Sequence, residues 1–175
     1  MSDHGRDSHQ SVSSAIIDSL EFAGARGRIE GDVAIAEMER LSDLLQGDGG
    51  GYLHCCVAGD RDADDRSFLI VKVVGEVQMR CSRCLGPLRW PISVEGRFLL
   101  VAPGMEWPDD DLAADDCDAI AAVRGMALLP LLEDEVMLGL PLSPRHDELC
   151  DLPRAVGEDH EASPFDALAV LKKKS

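Results

Sequence analysis

The pattern of apolar and polar residues changes its period several times along the chain. In residues 36–45 the apolar positions recur three or four apart, which predicts a helix, and a shorter helix is expected over residues 16–23. Residues 28–35 lie between them and come close to strict alternation, which is typical of a strand. The first part of the chain is therefore expected to combine short helices with a strand.

The middle of the chain is rich in residues that favour β-structure. Residues 52–59, 67–80 and 88–101 each have the composition of a strand, and turn-forming segments at 59–65 and 81–87 separate them. Parallel strands need a long crossover connection, whereas antiparallel strands can be joined by a tight turn. The short links therefore predict an antiparallel meander.

Helical spacing returns after an acidic segment, residues 103–118, that we expect to be a loop. Residues 128–140 place an apolar stripe beside an acidic patch, which predicts the clearest helix of the chain. Pro130 falls in its first turn, where proline is tolerated. Pro141 and Pro144 should end the helix, because proline cannot continue it.

The C-terminal residues predict one more short helix. Ser163 is a suitable N-cap, and Pro164 suits the first helical position. Phe165, Leu168 and Leu171 then share one face, which makes them candidate partner-binding residues. The same face could instead pack on the chain's own domain, and the sequence leaves both alternatives open.

These elements predict an α+β protein with an antiparallel β-meander core and a few flanking helices. We expect residues 1–14 to be a disordered leader, because they are polar and offer nothing to bury. Residues 15–150 should form a single α+β domain. Residues 151–175 should form a flexible acidic tether that carries the short C-terminal helix.

Composition limits the compartment and the broad class. Apolar residues make up 45% of the 175-residue chain, enough for a core, whereas aromatic residues make up only 4%. The longest apolar run is far shorter than the ~18 residues that cross a bilayer, and the polar first residues lack the apolar segment of a signal peptide. We therefore expect a cytoplasmic protein whose six cysteines are mostly reduced.

Charge is distributed unevenly along the chain. The net charge is −16, which argues against general phosphate-backbone binding, because that binding depends on lysine and arginine. Residues 66–97 nevertheless carry six basic residues and two acidic ones, a local balance of +4. Residues 106–118 carry seven acidic residues and no basic one. The sequence therefore contains one segment that could face RNA within a chain that suits a basic partner.

The candidate chemistry is concentrated in two cysteine motifs. Cys81 and Cys84 form a Cys-x-x-Cys pair on a predicted turn, a spacing that can hold one tetrahedral metal ion. His146 and Cys150 could supply the two further ligands, because they follow the long helix at a suitable spacing. The sequence thus suggests one structural zinc ion, and four reduced side chains without metal remain the alternative.

A redox role for the Cys-x-x-Cys pair is disfavoured. Thioredoxin-type motifs place the first cysteine at a helix N-terminus, whose dipole lowers the thiol pKa. The residues after Cys84 include Pro87 and Pro91 and cannot continue as a helix. No phosphate-binding glycine loop follows a strand, and no nucleophile stands at a recognisable spacing from a histidine. We therefore expect no catalytic residues and a protein that is not an enzyme.

The basic segment offers candidate RNA-binding or partner-binding residues. Arg80, Arg83, Arg89 and Arg97 lie along the predicted hairpin, and arginine donates two parallel hydrogen bonds to phosphate. Trp90 beside Arg89 could stack on a base. The residues taken alone favour an ordinary sheet surface with Trp90 packed inside.

Four stretches carry a resemblance to a known family. Residues 75–87, which contain the Cys-x-x-Cys motif, resemble the signature of the YceD family, the large ribosomal RNA subunit accumulation proteins. Residues 131–150 are similar to the family's second block, and residues 163–172 to its C-terminal ending, while residues 31–45 fit its early part. The chain departs from the usual residues at Ser82, where glutamine is frequent, and at Gly139, where alanine is more usual.

The resemblance implies a role in the synthesis, processing or stability of the large-subunit 23S ribosomal RNA of bacteria. It implies a non-catalytic ribosome-biogenesis factor, and no catalytic residues come with it. The expected partners are large-subunit ribosomal RNA, basic ribosomal or RNA-processing proteins, or both, with no membrane and no small-molecule substrate. The alternative function is a zinc-stabilised protein-binding adaptor without a ribosomal role.

Overall fold

The computed structural model describes residues 11–45, 50–107, 117–146 and 150. Within these residues, the strands and α-helices in chain order are β1 (Ile16–Ile17), α1 (Ser19–Gly24), β2 (Arg28–Ala34), α2 (Glu39–Leu44), β3 (Tyr52–Arg61), β4 (Ser67–Arg80), β5 (Pro87–Val101), β6 (Asp118–Ala121), β7 (Met126–Ala127) and α3 (Leu128–Leu138). Short 3-10 turns at Val12–Ser14 and Ile35–Glu37 precede β1 and α2.

The main sheet has the strand order β2-β3-β4-β5-β6. Every neighbouring pair from β2 to β5 is antiparallel, so the predicted α+β fold with an antiparallel meander is confirmed. One row across the inner face runs from Gly31 through Cys55 and Val73 to Val94, which are register partners in turn. Alternate residues of each strand face this side, because side chains of a strand point to opposite faces in turn.

The sheet has a fifth strand that the sequence did not predict. β6 pairs with the end of β5 in parallel, with Val101 opposite Ala121. A parallel pair needs a connection of a dozen or more residues, and residues 102–117 supply that length. The expected loop over residues 103–118 therefore ends one residue early, where β6 begins at Asp118.

The predicted break at residues 59–65 begins too early. β3 continues through Arg61, and Gly59 lies within the strand. A Cβ on Gly59 would lie 2.5 Å from the carbonyl oxygen of Phe22, at the end of α1. Glycine is needed at this position because the helix backbone approaches the sheet closely.

The first residues differ from the sequence expectation in two ways. The helix expected over residues 16–23 is replaced by β1, which pairs with β7, and by α1, which begins after the N-cap Asp18. Val12 is buried, although it belongs to the stretch expected to be a leader with nothing to bury. The larger part of that leader, residues 1–10, lies outside the described residues.

Helix α3 covers the inner face of the sheet. Leu128, Leu132 and Val136 are fully buried at intervals of four residues, which confirms the apolar stripe predicted for this helix. The helix ends at Leu138, two residues earlier than predicted, with Gly139 as its C-cap. A Cβ on Gly139 would collide with the Cγ1 of Val94 on β5, so glycine permits close packing here.

One buried carboxylate joins α3 to α2. Glu133 is only 6% exposed, and its Oε1 accepts a 3.0 Å hydrogen bond from the backbone N–H of Leu41. The guanidinium of Arg40 donates to the other oxygen, Oε2, at 2.9 Å and also contacts Asp134. These bonds satisfy a buried charge that would otherwise be costly.

No helix among the described residues is long and apolar enough to cross a membrane. The division into a domain over 15–150 and a tail over 151–175 stays a prediction, because the tail lies outside the described residues.

Candidate metal centre

The first half of the site is the turn that joins β4 to β5. The backbone N–H of Cys81 donates to the carbonyl of Gly86 at 2.9 Å, and the N–H of Leu85 donates to the carbonyl of Cys81 at the same distance. Leu85 has a φ of 61°, a left-handed conformation that leucine rarely adopts and that costs roughly 1–2 kcal/mol. The guanidinium of Arg80 also donates to the Leu85 carbonyl at 2.9 Å. The turn is thus held tightly in one shape.

That shape directs backbone donors at both sulfur atoms. The N–H of Arg83 lies 3.4 Å from the Sγ of Cys81, and the N–H of Gly86 lies 3.4 Å from the Sγ of Cys84. Such donors stabilise negative charge on sulfur, which is the state in which cysteine binds a metal. The turn is therefore built for thiolates.

The second half of the site comes from the segment after α3. Pro141 and Pro144 prevent the helix from continuing, and the chain turns back toward the β4–β5 turn. The carbonyl of Pro144 accepts a 2.8 Å hydrogen bond from the backbone N–H of Ser82. This bond fixes the segment beside the turn and brings His146 and Cys150 to the two cysteines.

The four predicted ligands meet at one point. The ligand atoms of Cys81, Cys84, His146 and Cys150 all lie within 4.8 Å of one another. The Sγ atoms of Cys81 and Cys150 are 3.9 Å apart, and the Sγ of Cys84 is 3.6 Å from the Nδ1 of His146. Bonds of about 2.3 Å to sulfur and 2.0 Å to nitrogen place tetrahedral ligands about 3.5–3.8 Å apart. The four residues could therefore hold a metal ion, and their donor set is one that zinc prefers.

The histidine is oriented by a backbone carbonyl. The Nε2 of His146 lies 3.1 Å from the carbonyl oxygen of Pro87, which can only accept a hydrogen bond. The proton of a neutral imidazole is then on Nε2, and the lone pair of Nδ1 points to the cluster. Sequence reasoning could not find that Pro87 orients His146, because the contact is made by a backbone carbonyl, which every residue has.

The two thiols at 3.9 Å differ in acidity. The N–H of Cys84 is the largest influence on Cys81 and, together with the N–H of Arg83, lowers the pKa of Cys81 to about 5 against the opposing effect of burial. Burial raises the pKa of Cys150, and the neighbouring sulfurs of Cys84 and Cys81 raise it further. A thiolate beside a thiol is the arrangement that closely spaced cysteines adopt without a cation.

The remaining cysteines stand apart from this cluster. Cys55 and Cys56 are buried in β3, in accordance with a core-filling role, and burial raises the pKa of Cys55 to about 12. Cys117 is half-buried and is not one of the four grouped ligands. The Cys-x-x-Cys turn leads into strand β5, as predicted, so no helix N-terminus is available to a redox mechanism.

The structure gives local partners to most of the arginines that are candidate RNA-binding or partner-binding residues. Arg89 forms a 2.8 Å ion pair with Glu76, and the ζ carbon of Arg97 lies 3.9 Å from the centre of the Phe68 ring. Arg80 holds the turn, as described above. Among the described residues, the guanidinium of Arg83 has no hydrogen-bond or ion-pair partner.

The candidate stacking residue faces inward. Trp90 is half-buried and packs against the core, opposite Val77 on β4. It therefore lies on the other face of β5 from Arg89, which confirms the ordinary-sheet interpretation for this tryptophan. The candidate partner-binding residues Phe165, Leu168 and Leu171 lie outside the described residues.

The fold and the site define a small α+β protein in which one four-ligand cluster ties a β-hairpin turn to the segment after a buried helix. A family model described as large ribosomal RNA subunit accumulation protein YceD matches residues 69–172, more than half of the chain. The chain therefore belongs to the YceD family. No curated protein and no solved structure shows significant similarity to it.

Proposed function

We propose that this protein is a non-catalytic, cytoplasmic ribosome-biogenesis factor that supports the synthesis, processing or stability of 23S ribosomal RNA. The family match over residues 69–172 carries the proposal, because the family is described by accumulation of the large-subunit RNA. The matched region includes the Cys-x-x-Cys turn and the segment after α3, which together form the site.

The cluster of Cys81, Cys84, His146 and Cys150 holds one structural zinc ion in this proposal. The S–S and S–N distances and the orientation of His146 support zinc. When bound, the ion would cross-link the hairpin turn to the segment after α3. The residues leave no open coordination position for a substrate, so the role is structural.

The protein acts through a basic protein partner, and its effect on ribosomal RNA is indirect. The net charge of −16 favours a basic partner, because opposite potentials steer association. The ion pair of Arg66 with Asp62, an acidic residue outside residues 66–97, and the stacking of Arg97 on Phe68 leave fewer cations for phosphate than the +4 balance of residues 66–97 suggests. Ribosomal proteins and RNA-processing enzymes are the expected classes of partner.

Two binding assays with purified full-length protein test the mechanism. At low salt it should retain basic ribosomal proteins and should not shift fragments of 23S ribosomal RNA, and added salt should weaken the retention. A shift of the RNA fragments without any retention of basic proteins would show that the protein contacts RNA directly. Arg83→Ala then serves as the variant that should reduce that shift.

The competing function is a zinc-stabilised adaptor without a ribosomal role. The metal cluster is the observation that supports it. Gradient fractionation of a cell extract separates the two functions. A ribosome-biogenesis factor should appear in the fractions of large-subunit precursors. An adaptor should remain at the top of the gradient, and its deletion should leave 23S ribosomal RNA unchanged.

A further inference from the structure

An open apolar groove lies beside the cysteine cluster. It has a volume of about 320 Å³, and its apolar walls come from α2, β4, α3 and the segment after α3: Leu44, Met79, Met137, Leu140, Leu142 and Pro144. Leu44 is 57% exposed, and Leu142 is fully exposed. Neighbouring exposed apolar side chains of this kind mark interaction surfaces on soluble domains.

The described chain ends next to this groove. The Sγ of Cys150 is 3.9 Å from that of Cys81, and Cys81 directly follows Arg80, which is part of the groove wall. Pro144 also lines the groove, and its carbonyl bonds to the N–H of Ser82. Cys150, the last described residue, therefore contacts a cysteine whose chain neighbour forms part of the groove wall.

The chain beyond Cys150 has the length and the residues to fill it. Residues 151–162 can span up to about 40 Å when extended, more than enough to return to a site beside their starting point. Residues 163–171 have the N-cap and the one-sided apolar stripe of a short amphipathic helix.

We propose that residues 163–171 of the same chain dock in this groove through Phe165, Leu168 and Leu171. The tether makes docking intramolecular, with an effective concentration in the millimolar range for a short flexible linker. A separate peptide of the same sequence would need a millimolar concentration in solution to occupy the groove to the same extent. The apolar face of the C-terminal segment thus covers the chain's own exposed leucines.

Hydrogen–deuterium exchange of the full-length protein tests the docking. Amides of residues 165–171 should exchange about tenfold or more slowly than the same sequence in a free peptide. Leu142→Asp in the groove and Leu168→Asp in the segment should each remove this protection. Leu142 can accept the change without loss of the fold, because its side chain is fully exposed. A circular dichroism spectrum checks that Leu168→Asp also keeps the fold.

Each variant has a matched control that introduces the same negative charge at another position. Leu138→Asp alters another exposed leucine of the same region, 80% exposed, that does not line the groove. Val170→Asp alters the opposite face of the amphipathic segment. Both controls should keep the protection of residues 165–171.

Three outcomes would overturn the proposal. Exchange of residues 165–171 at the free-peptide rate would show that the segment does not dock. Protection that rises with protein concentration would assign the groove to a second copy of the chain. Protection that survives Leu142→Asp would place the segment elsewhere on the domain.

Discussion

The Sγ of Cys84 lies 3.6 Å from the Nδ1 of His146, although 62 positions separate the two residues in the sequence. The contact joins the β4–β5 turn to the segment after α3, and the Nε2 of the same imidazole is held by the Pro87 carbonyl. The free lone pair on Nδ1 and the two thiols of the Cys-x-x-Cys turn therefore face a common point, and Cys150 completes the set.

The first prediction concerns the metal content of the purified protein. The full-length chain should carry about one equivalent of zinc, and Cys84→Ser should lose most of it, because three ligands bind far less tightly than four. Cys117→Ser is the matched control. Because Cys117 lies outside the cluster, this variant protein should keep its zinc. Elemental analysis after gel filtration measures both. A wild-type protein with less than a tenth of an equivalent would contradict the prediction.

Removal of the metal should destabilise the fold. A ligand that binds only the folded state adds about 2.7 kcal/mol at a free concentration of 100 times its Kd, so a strong chelator should lower Tm by several degrees. The same chelator should leave the Tm of Cys84→Ser almost unchanged, because that variant has no bound metal to lose. An equal effect on both proteins would show that the chelator acts in some other way.

The carboxylate of Glu133 should contribute strongly to stability. Glu133→Gln is expected to cost about 2 kcal/mol at pH 7, because Gln cannot accept as well from both the Leu41 N–H and the Arg40 guanidinium. Asp134→Asn is the control, since Asp134 is 53% exposed in its ion pair with Arg40 and should cost less than about 1 kcal/mol. Urea unfolding measures both. Equal losses would contradict the structural difference.

The effect of Glu133 should also depend on pH. Burial opposes ionisation, but the hydrogen bonds from Leu41 and Arg40 outweigh it and hold the pKa of Glu133 below its ordinary value. Its stabilisation is therefore fully present above the ordinary pKa of about 4.3 and is lost as pH falls through the lower folded-state pKa. The difference in unfolding free energy between wild type and Glu133→Gln should shrink over that range.

The neighbouring Glu135 should show the opposite sign. Burial raises its pKa, and the charges of Asp118 and Asp134 add to the effect. The folded state then favours the protonated acid, so stability decreases as pH rises from the ordinary pKa through the raised one. Relative to wild type, Glu135→Gln should therefore change the free energy of unfolding more favourably at pH 7 than at pH 4. A loss of stability at pH 7 would contradict the prediction.

Gly139 should tolerate no larger side chain unless Val94 is reduced. Gly139→Ala is expected to cost about 1–2 kcal/mol, because its Cβ would overlap the stiff β-branched side chain of Val94. The φ of −77° at Gly139 suits alanine equally well, so the cost comes from the collision and not from the backbone. Combining Gly139→Ala with Val94→Ala should recover part of the loss, which a double-mutant cycle measures. Additive losses would contradict the contact.

The parts of the fold that the sequence predicted are those with local signals. Composition and short turns predicted the meander from β3 to β5, alternation predicted β2 as a strand, and the leucine stripe predicted α3. β6 has only four residues, and its partner lies across a long acidic connection, so neither alternation nor loop length indicated the pairing. Similarly, Glu133 belongs to an acidic patch in the sequence, and only the position of α2 shows that its carboxylate is buried.

The candidate site also combines features that have a local sequence signal with features that only the folded chain shows. The spacing of Cys81 and Cys84 and of His146 and Cys150 was sufficient to predict that these four side chains could meet, and the structure brings them together. The basic residues were harder to interpret, since a positive charge gives no indication of its cross-strand neighbour. Arg97 is a candidate RNA ligand by charge, but its guanidinium covers Phe68, a contact set by the pairing of β4 with β5.

The amount of 23S ribosomal RNA in host cells that lack this protein tests the central proposal most directly. Deletion of the protein from its host should lower the ratio of 23S to 16S ribosomal RNA, and expression of the wild-type chain should restore it. Cys84→Ser should restore the ratio only in part, if the cluster stabilises the fold as proposed. An unchanged ratio in the deletion strain under the growth conditions in which the wild-type protein is expressed would contradict a role in ribosomal RNA accumulation.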